Sequence, residues 1–312
     1  MNGRIYEIDI GEALYPESLR NIYNPPKTLY IRGELPDLSR ETAIAVIGTR
    51  KASPYGLKMG RNLAYEIARC GGIVISGLTA GIDAAAAEGA LLAGGRVIGV
   101  LGTSVEDARS ELAEEVVKSG CLVSEYPAGS IPNKTHFRAR NRIAAGLSEG
   151  VVVVEAPEKS GTRLFVAEAL EQGKQIFAVP GNADSDNSAG TLQLIKEGAM
   201  LVTHGWEVAE EYPGRLQAVK DEPVPDRPVT QKSKKCVDKQ NSYYYIDITE
   251  KLKGLSPAEI KIVKAISAGC RSADEIANAA AMPISEVSGN LTMLQIKGTV
   301  KKDAAGFSIN MK

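Results

Sequence analysis

The sequence predicts an α/β protein: a doubly wound, mostly parallel sheet, followed by a small C-terminal winged helix-turn-helix domain. Three observations carry that prediction. From Glu41 onward short β-rich runs alternate with helical patterns, the strand-like runs are apolar throughout, and the chain beyond Leu252 carries two capping-box patterns before a hairpin pattern. Strands without polar alternation belong to parallel sheets that helices cover on both faces.

Taken in order, AIAVIG is followed by YGLKMGRNLAYEIARCG, IVIS by IDAAAAEGALLAGG, and RVIGVLG by VEDARSELAEEVVKSG. CLVSE, an RNRIAAGLSEG helix, VVVVEA, an SGTRLFVAEALEQG helix, QIFAVPG, TLQLIKEGA and MLVTHG complete a Rossmann-like domain over 41–212. Residues 1–40 hold the turn signals YP, NPP and LPD around the apolar TLYIRG, and are expected to pack on the sheet as an N-terminal extension. Between 213 and 250 periodicity is lost and Pro, Lys and Asp accumulate, which predicts a flexible linker.

The stretch 251–312 fits three short helices and a hairpin. Ser256-Pro-Ala-Glu and Ser272-Ala-Asp-Glu are capping boxes, the first with Pro at the first helical position, and Gly298 sits where the third helix should stop. TVKKDAAGFSIN reads as two strands around a turn. The third helix, SEVSGNLTMLQIKG, carries only Glu286 and Lys297 as charges, so its attraction for phosphate is weak. A module for dimerisation or protein contact therefore stands beside a DNA reader, which Lys301 and Lys302 in the wing keep open.

At 312 residues, 44% hydrophobic and 24% charged, the chain has the composition of an ordinary globular protein with a sizeable core. A formal charge of −1 argues against a histone-like wrapper, so any nucleic-acid contact must come from a local patch. Cys70, Cys121, Cys236 and Cys270 show no C-x-x-C spacing and only two histidines occur, so neither a metal site nor a disulfide framework is expected. No basic n-region precedes an apolar run, and no apolar run reaches about 18 residues. A cytoplasmic protein with no membrane span is expected.

The local patch is THFRARNRIAAG. From Tyr126 to Ser148 there is no acidic residue, while Lys134, Arg138, Arg140 and Arg142 fall inside that window with Phe137 among them. Base stacking on an exposed aromatic is worth about 1–3 kcal/mol per base, although core packing is a phenylalanine's commoner fate. Arg140 and Arg142 lie two apart, so on a helix they diverge, and one can instead brace a carboxylate such as Glu125 or Glu155.

Three strand-to-helix turns point at the same sheet edge. IGTRKASPYG offers Thr49, Arg50 and Lys51, ISGLTAGID offers Ser76, Gly77 and Gly81, and APEKSGTRL offers Lys159, Ser160 and Gly161. Helix N-termini attract anions, glycine admits close approach, and hydroxyls and cations complete a phosphate cradle. None is a G-x-G-x-x-G or Walker loop, so neither a conventional dinucleotide site nor an NTPase is supported. Any one loop alone reads as a tight turn; three on one edge beside FRARNR suit a phosphodiester backbone. Asp83, in AGID, could orient a ribose, but N-capping is the commoner task.

The strings VIGTRKASPYG, VISGLTAGID, RARNRIAAGLS, VVVVEA, SGTRL, FAVPGN and GTLQLIKEGA, after YPESLRNIYNPPKTLYIRG, resemble the DprA/Smf family (DNA processing protein A) from Tyr15 to about Trp206. The C-terminal winged helix also fits that family's layout. The resemblance implies a homodimer that binds single-stranded DNA without cofactor and loads the recombinase RecA during natural transformation or recombination. It implies DNA contacts at Arg50, Ser76, Gly77, Gly81, Phe137, Arg140, Asn141 and Arg142, to which the loop argument adds Lys51, Arg138, Lys159, Ser160 and Gly161. The family pattern departs here at Ala87 (usually His), Arg138 (usually Pro), Phe165-Val166 (a Thr-Ala pair), Leu192 (usually Asn) and VEDARSEL.

Two other functions compete. A related Rossmann group, the phosphoribohydrolases, uses P-G-G-x-G-T-x-x-E, but EKSGTRLF sets Phe165 at the glutamate position, which removes the acid or base that glycosidic cleavage needs. A non-catalytic scaffold working through its winged helix and linker is the third reading. The expected function is a single-strand DNA binder rather than an enzyme.

Overall fold

The computed structural model describes residues 3–220, 224–225, 256–267, 270, 272–280, 282–303 and 306–309. Internal contacts divide the chain into two units, Met1–Cys236 and Val237–Lys312. The first begins β1 (Ile5–Asp9), α1 (Glu17–Arg20), β2 (Thr28–Gly33), β3 (Ala43–Ile47), α2 (Pro54–Arg69), β4 (Ile73–Ser76), α3 (Ile82–Leu92) and β5 (Val97–Val100). It continues α4 (Glu111–Ser119), β6 (Cys121–Ser124), α5 (Lys134–Leu147), β7 (Gly150–Val153), α6 (Gly161–Glu171), β8 (Gln175–Ala178), α7 (Ala189–Lys196), β9 (Met200–Leu201) and α8 (Gly205–Glu210).

The strands form one sheet in the order β1-β2-β6-β5-β4-β3-β7-β8-β9. From β6 to β9 all neighbours are parallel, as the apolar strand sequences predict. Successive side chains take opposite faces. Ile73, Ile75 and Val151 join Ile143 of α5, Phe165 of α6 and Leu194 of α7 on one side. Ile44, Val46, Val74 and Val152 join Leu63 of α2, Ala86 of α3, Val116 of α4 and Val208 of α8 on the other. Each fully buried aliphatic side chain contributes about 1.5–3 kcal/mol, so a strand buried on both faces is held by every residue.

Residues 1–40 do more than pack on the sheet. TLYIRG forms β2, which pairs antiparallel with β6, and β1 pairs antiparallel with β2, so the extension widens the sheet in its own plane. The expected linker also begins later than 213. Gln217 N–H donates to Cys70 O at 3.1 Å and Leu216 is buried beside Cys70 and Ala209, so 213–220 lies against the end of α2. The rest of the 213–250 linker, apart from Val224 and Pro225, lies outside the described residues.

Helix starts follow their caps. Ser53 accepts from Gly56 N–H at 3.0 Å with Pro54 beginning α2, and Asn133 accepts from His136 N–H at 3.0 Å. The latter cap starts α5 at Lys134, six residues before the expected RNRIAAGLSEG helix, so Phe137 and Arg138 are helical.

The second unit holds α9 (Pro257–Ser267), α10 (Ala273–Ala280), α11 (Ile284–Ile296), β10 (Val300–Asp303) and β11 (Gly306–Ile309). Both capping boxes form reciprocally, Ser256 with Glu259 and Ser272 with Glu275. Gly298 follows α11 at φ +67°, where a β-carbon would be strained. β10 and β11 pair antiparallel as the wing. Ile262, Ile266, Ile276, Val287, Leu291 and Leu294 make its core.

Candidate nucleic-acid interface

β3 has β4 on one side and β7 on the other, so the chain winds away from it in both directions. In such sheets ligands bind beyond the C-terminal strand ends at this reversal. The three Gly-bearing turns lie there, following β3, β4 and β7, and α5 crosses beside them.

The first turn is clasped by Glu155. Its buried carboxylate accepts from Ser53 N–H at 2.9 Å and from Ser53 Oγ at 2.5 Å, and its carbonyl accepts from Thr49 N–H at 2.8 Å. That leaves the Arg50 and Lys51 side chains exposed at the rim.

The second turn is held internally. Ser76 Oγ donates to Asp83 O at 2.8 Å and accepts from Leu78 N–H at 3.0 Å, and Thr79 Oγ1 donates to Asp83 Oδ2 at 3.0 Å. Gly81 has φ +89°, and a β-carbon there would stand 2.3 Å from Thr49 O, so this glycine seats the second turn on the first. Asp83 is therefore a buried anchor inside α3; Gly81 occupies the N-cap position.

Arg140 reaches under this turn. It is 8% exposed, its Nη1 donates to Val100 O at 3.0 Å, its Nη2 lies 4.0 Å from Asp83 Oδ2, and its Nε has no hydrogen-bond partner. Burial pushes the Asp83 carboxyl up and the Arg140 guanidinium down, and each opposes the other's shift by its charge. A β-carbon on Gly77 would lie 1.8 Å from Arg140 Nη1. Gly77 thus makes room for a guanidinium.

The third turn leads into α6 with no side-chain cap and no acidic residue in its first turn. Ser160 Oγ is buried without a partner, and the free N–H groups of the helix start beside it. Lys159 is exposed outside the cavity.

These parts enclose a cavity of about 370 Å³. Of the candidate residues, Arg50, Lys51, Ser76, Gly77, Arg138, Arg140, Asn141, Ser160 and Gly161 line it; Gly81, Phe137, Arg142 and Lys159 do not. Phe137 is half-buried against Gly102, and the preceding His136 stacks on Tyr126 with ring centroids 3.8 Å apart. Arg142 points elsewhere. It makes a bidentate pair with Glu125 at 2.9 and 2.6 Å and donates through Nε to Asn24 O, so it braces the N-terminal extension. Burial raises the Glu125 carboxyl, but the Arg142 hydrogen bonds and charge outweigh it and hold the group below its ordinary range.

Thr79, Thr162 and Phe165 also line the cavity and were not assigned from the sequence as contacts. Thr162, at the second position of the uncapped α6, is the one that a Ser-Gly-Thr helix start signals. Among the departures, Ala87 and Val166 are buried, Leu192 is half-buried, and Phe165 is buried in the cavity lining. Arg138 is exposed at the mouth. Among the described residues no cluster of His, Cys, Asp or Glu could hold a metal ion, and no helix is long and apolar enough to cross a membrane.

A switch-point cavity with four cationic side chains and a single, paired carboxylate in its lining is the arrangement in which α/β proteins commonly hold anions. The chain belongs to the DprA/Smf family: the model for DNA recombination-mediator protein A matches residues 7–223, and that for the DprA winged helix domain matches 249–306. It is 39% identical over 215 residues to DNA processing protein DprA of Bacillus subtilis, covering 68% of this chain and 72% of that one. Protein Smf of Escherichia coli is 33% identical over 305 residues, covering 96% and 76%. The X-ray structure of DprA from Streptococcus pneumoniae superposes with a TM-score of 0.62 at 37% identity, covering 67% of this chain and 74% of that one. A Helicobacter pylori DprA structure, described for its single-stranded DNA binding mode, gives 0.61 at 27% identity, covering 68% and 98%.

Proposed function

We propose that this chain binds single-stranded DNA at the switch-point edge, protects it, and hands it to a RecA-type recombinase in transformation or homologous recombination. The observation that carries the DNA reading is the convergence of three turns and α5 on one basic cavity. Exposed Arg50, Lys51 and Arg138 draw in the backbone, while Ser160 and the α6 N-terminus offer donors to phosphate oxygens. Gly77 and Gly81 shape the turns, Arg140 and Asn141 line the inner wall, and Lys159 extends the positive field outside. Phe137, half-buried on the first turn of α5, is the stacking candidate for one base. Arg142 is assigned to bracing.

The hand-off to a recombinase and a homodimeric state rest on family membership, in which the matched model is that of a recombination mediator. The winged helix serves as a protein or DNA contact. Fluorescence anisotropy of a labelled oligothymidylate, with duplex competitor and a salt series, tests the DNA reading. Salt-sensitive, single-strand-preferring binding is expected, and affinity indifferent to salt would count against it.

A further inference from the structure

We propose that the switch-point cavity prefers a phosphomonoester, as carried by a nucleoside monophosphate or a phosphorylated strand end, over an internal phosphodiester. The inference deepens the reading above and rests on this cavity being the strand's phosphate site.

Three features support it. The floor is blind: Ile47, Ile75, Ala144 and Phe165 line it, each at most 6% exposed, and they belong to the core packed between sheet and helices. A backbone cannot thread through. An internal phosphate must enter with the strand turning back on both sides, whereas a terminal phosphate enters with one flank only.

The charge balance is the second feature. Arg50, Lys51, Arg138 and Arg140 line the cavity against one carboxylate, Asp83, which faces Arg140. The remaining three cations exceed what one diester charge neutralises. A phosphomonoester carries about −1.5 to −2 near pH 7, with three strong acceptor oxygens.

The third is the supply of donors. Arg140 Nε and Ser160 Oγ are buried without partners on two residues that line the cavity, and α6 begins after Ser160 without a side-chain cap. Arg140 is itself more than nine-tenths buried. Leaving such donors unmet is costly, and an acceptor-rich ligand meets more of them than a diester with two free oxygens.

The test compares labelled oligothymidylates bearing a 5′-phosphate, a 3′-phosphate or hydroxyl ends, each in competition with thymidine monophosphate, thymidine and inorganic phosphate. The full chain is used. At least one phosphorylated end, or the free monophosphate at matched nucleotide concentration, should bind about tenfold tighter than internal sites, and Ser160→Ala should shrink that ratio. Preference for a phosphorylated end without competition by the monophosphate assigns the source to strand ends; competition by the monophosphate assigns it to free nucleotide. Equal affinity for all three strands, with no competition by the monophosphate, would overturn the inference and leave strand binding intact. Monophosphate binding without strand binding would overturn the function proposed above and, with it, the inference that rests on it. Binding of neither overturns both.

Discussion

Arg50→Ala combined with Arg138→Ala removes two exposed cations from the cavity mouth and leaves the buried Arg140–Asp83 pair untouched. Each phosphate that a cation neutralises releases condensed counterions, so on a single strand log affinity falls by about 0.7 per contact for each tenfold rise in salt. Two lost contacts flatten the slope by about 1.4. Between about 50 and 200 mM salt the affinity gap between wild type and variant should therefore narrow about sevenfold. Anisotropy titrations at four or five salt concentrations resolve that difference. Both side chains are exposed, so thermal unfolding should change by no more than about 0.5 kcal/mol and loss of fold is separable from loss of contact. Parallel salt slopes for two equally stable proteins would refute the placement of the strand at this mouth.

Arg142→Ala should lower stability by about 3 kcal/mol at neutral pH, because it leaves Glu125 part-buried without its bidentate partner. The folded Glu125 carboxyl sits below its unfolded value, so the pair's contribution is full above the unfolded carboxylate range and is lost as pH falls through the folded value. Urea midpoints of wild type and variant should accordingly converge on acidification; a constant gap would contradict the ion-pair account. Gly77→Ala should drive Arg140 from Val100 O and Asp83, costing about 3 kcal/mol in denaturant titration, and a neutral effect would show that the guanidinium is free to move. Glu259→Ala removes a reciprocal cap and the 2.7 Å pair to Lys297, and should weaken hydrogen-exchange protection in α9 by about 1 kcal/mol while leaving α2 unchanged.

The parallel sheet was legible because its strands are apolar on both faces, and the helices because their caps are local: Ser256, Ser272 and Gly298 each act within four residues. The switch point was legible only as three turns on one edge, since strand order is not written in any one segment. What escaped were long-range assignments. Glu125 is legible as a carboxylate that one of the two arginines can brace, but nothing local shows that Arg142 rather than Arg140 takes it, and nothing near TLYIRG shows that its backbone pairs with β6. The start of α5 is not legible from the FRARNR charges; it is set by the Asn133 side chain, which caps the helix six residues before RNRIAAGLSEG. The sequence suggests a glycine at 77 that admits a phosphate, whereas the space its side chain would take holds the guanidinium of Arg140 from a different helix.

That last contact binds two distant positions into a single evolutionary choice. A side chain at Gly77 and a guanidinium at Arg140 exclude each other, so neither can drift alone: a chain that gains bulk at the turn must shorten or redirect the arginine, and with it abandon the partner of Asp83. Gly56 and Glu155 stand in the same relation, the β-carbon of one falling 2.2 Å from the carboxylate of the other. Substitutions at these four positions should therefore arrive in pairs, and a relative carrying only one member of a pair would have a rebuilt turn where this chain has its cavity.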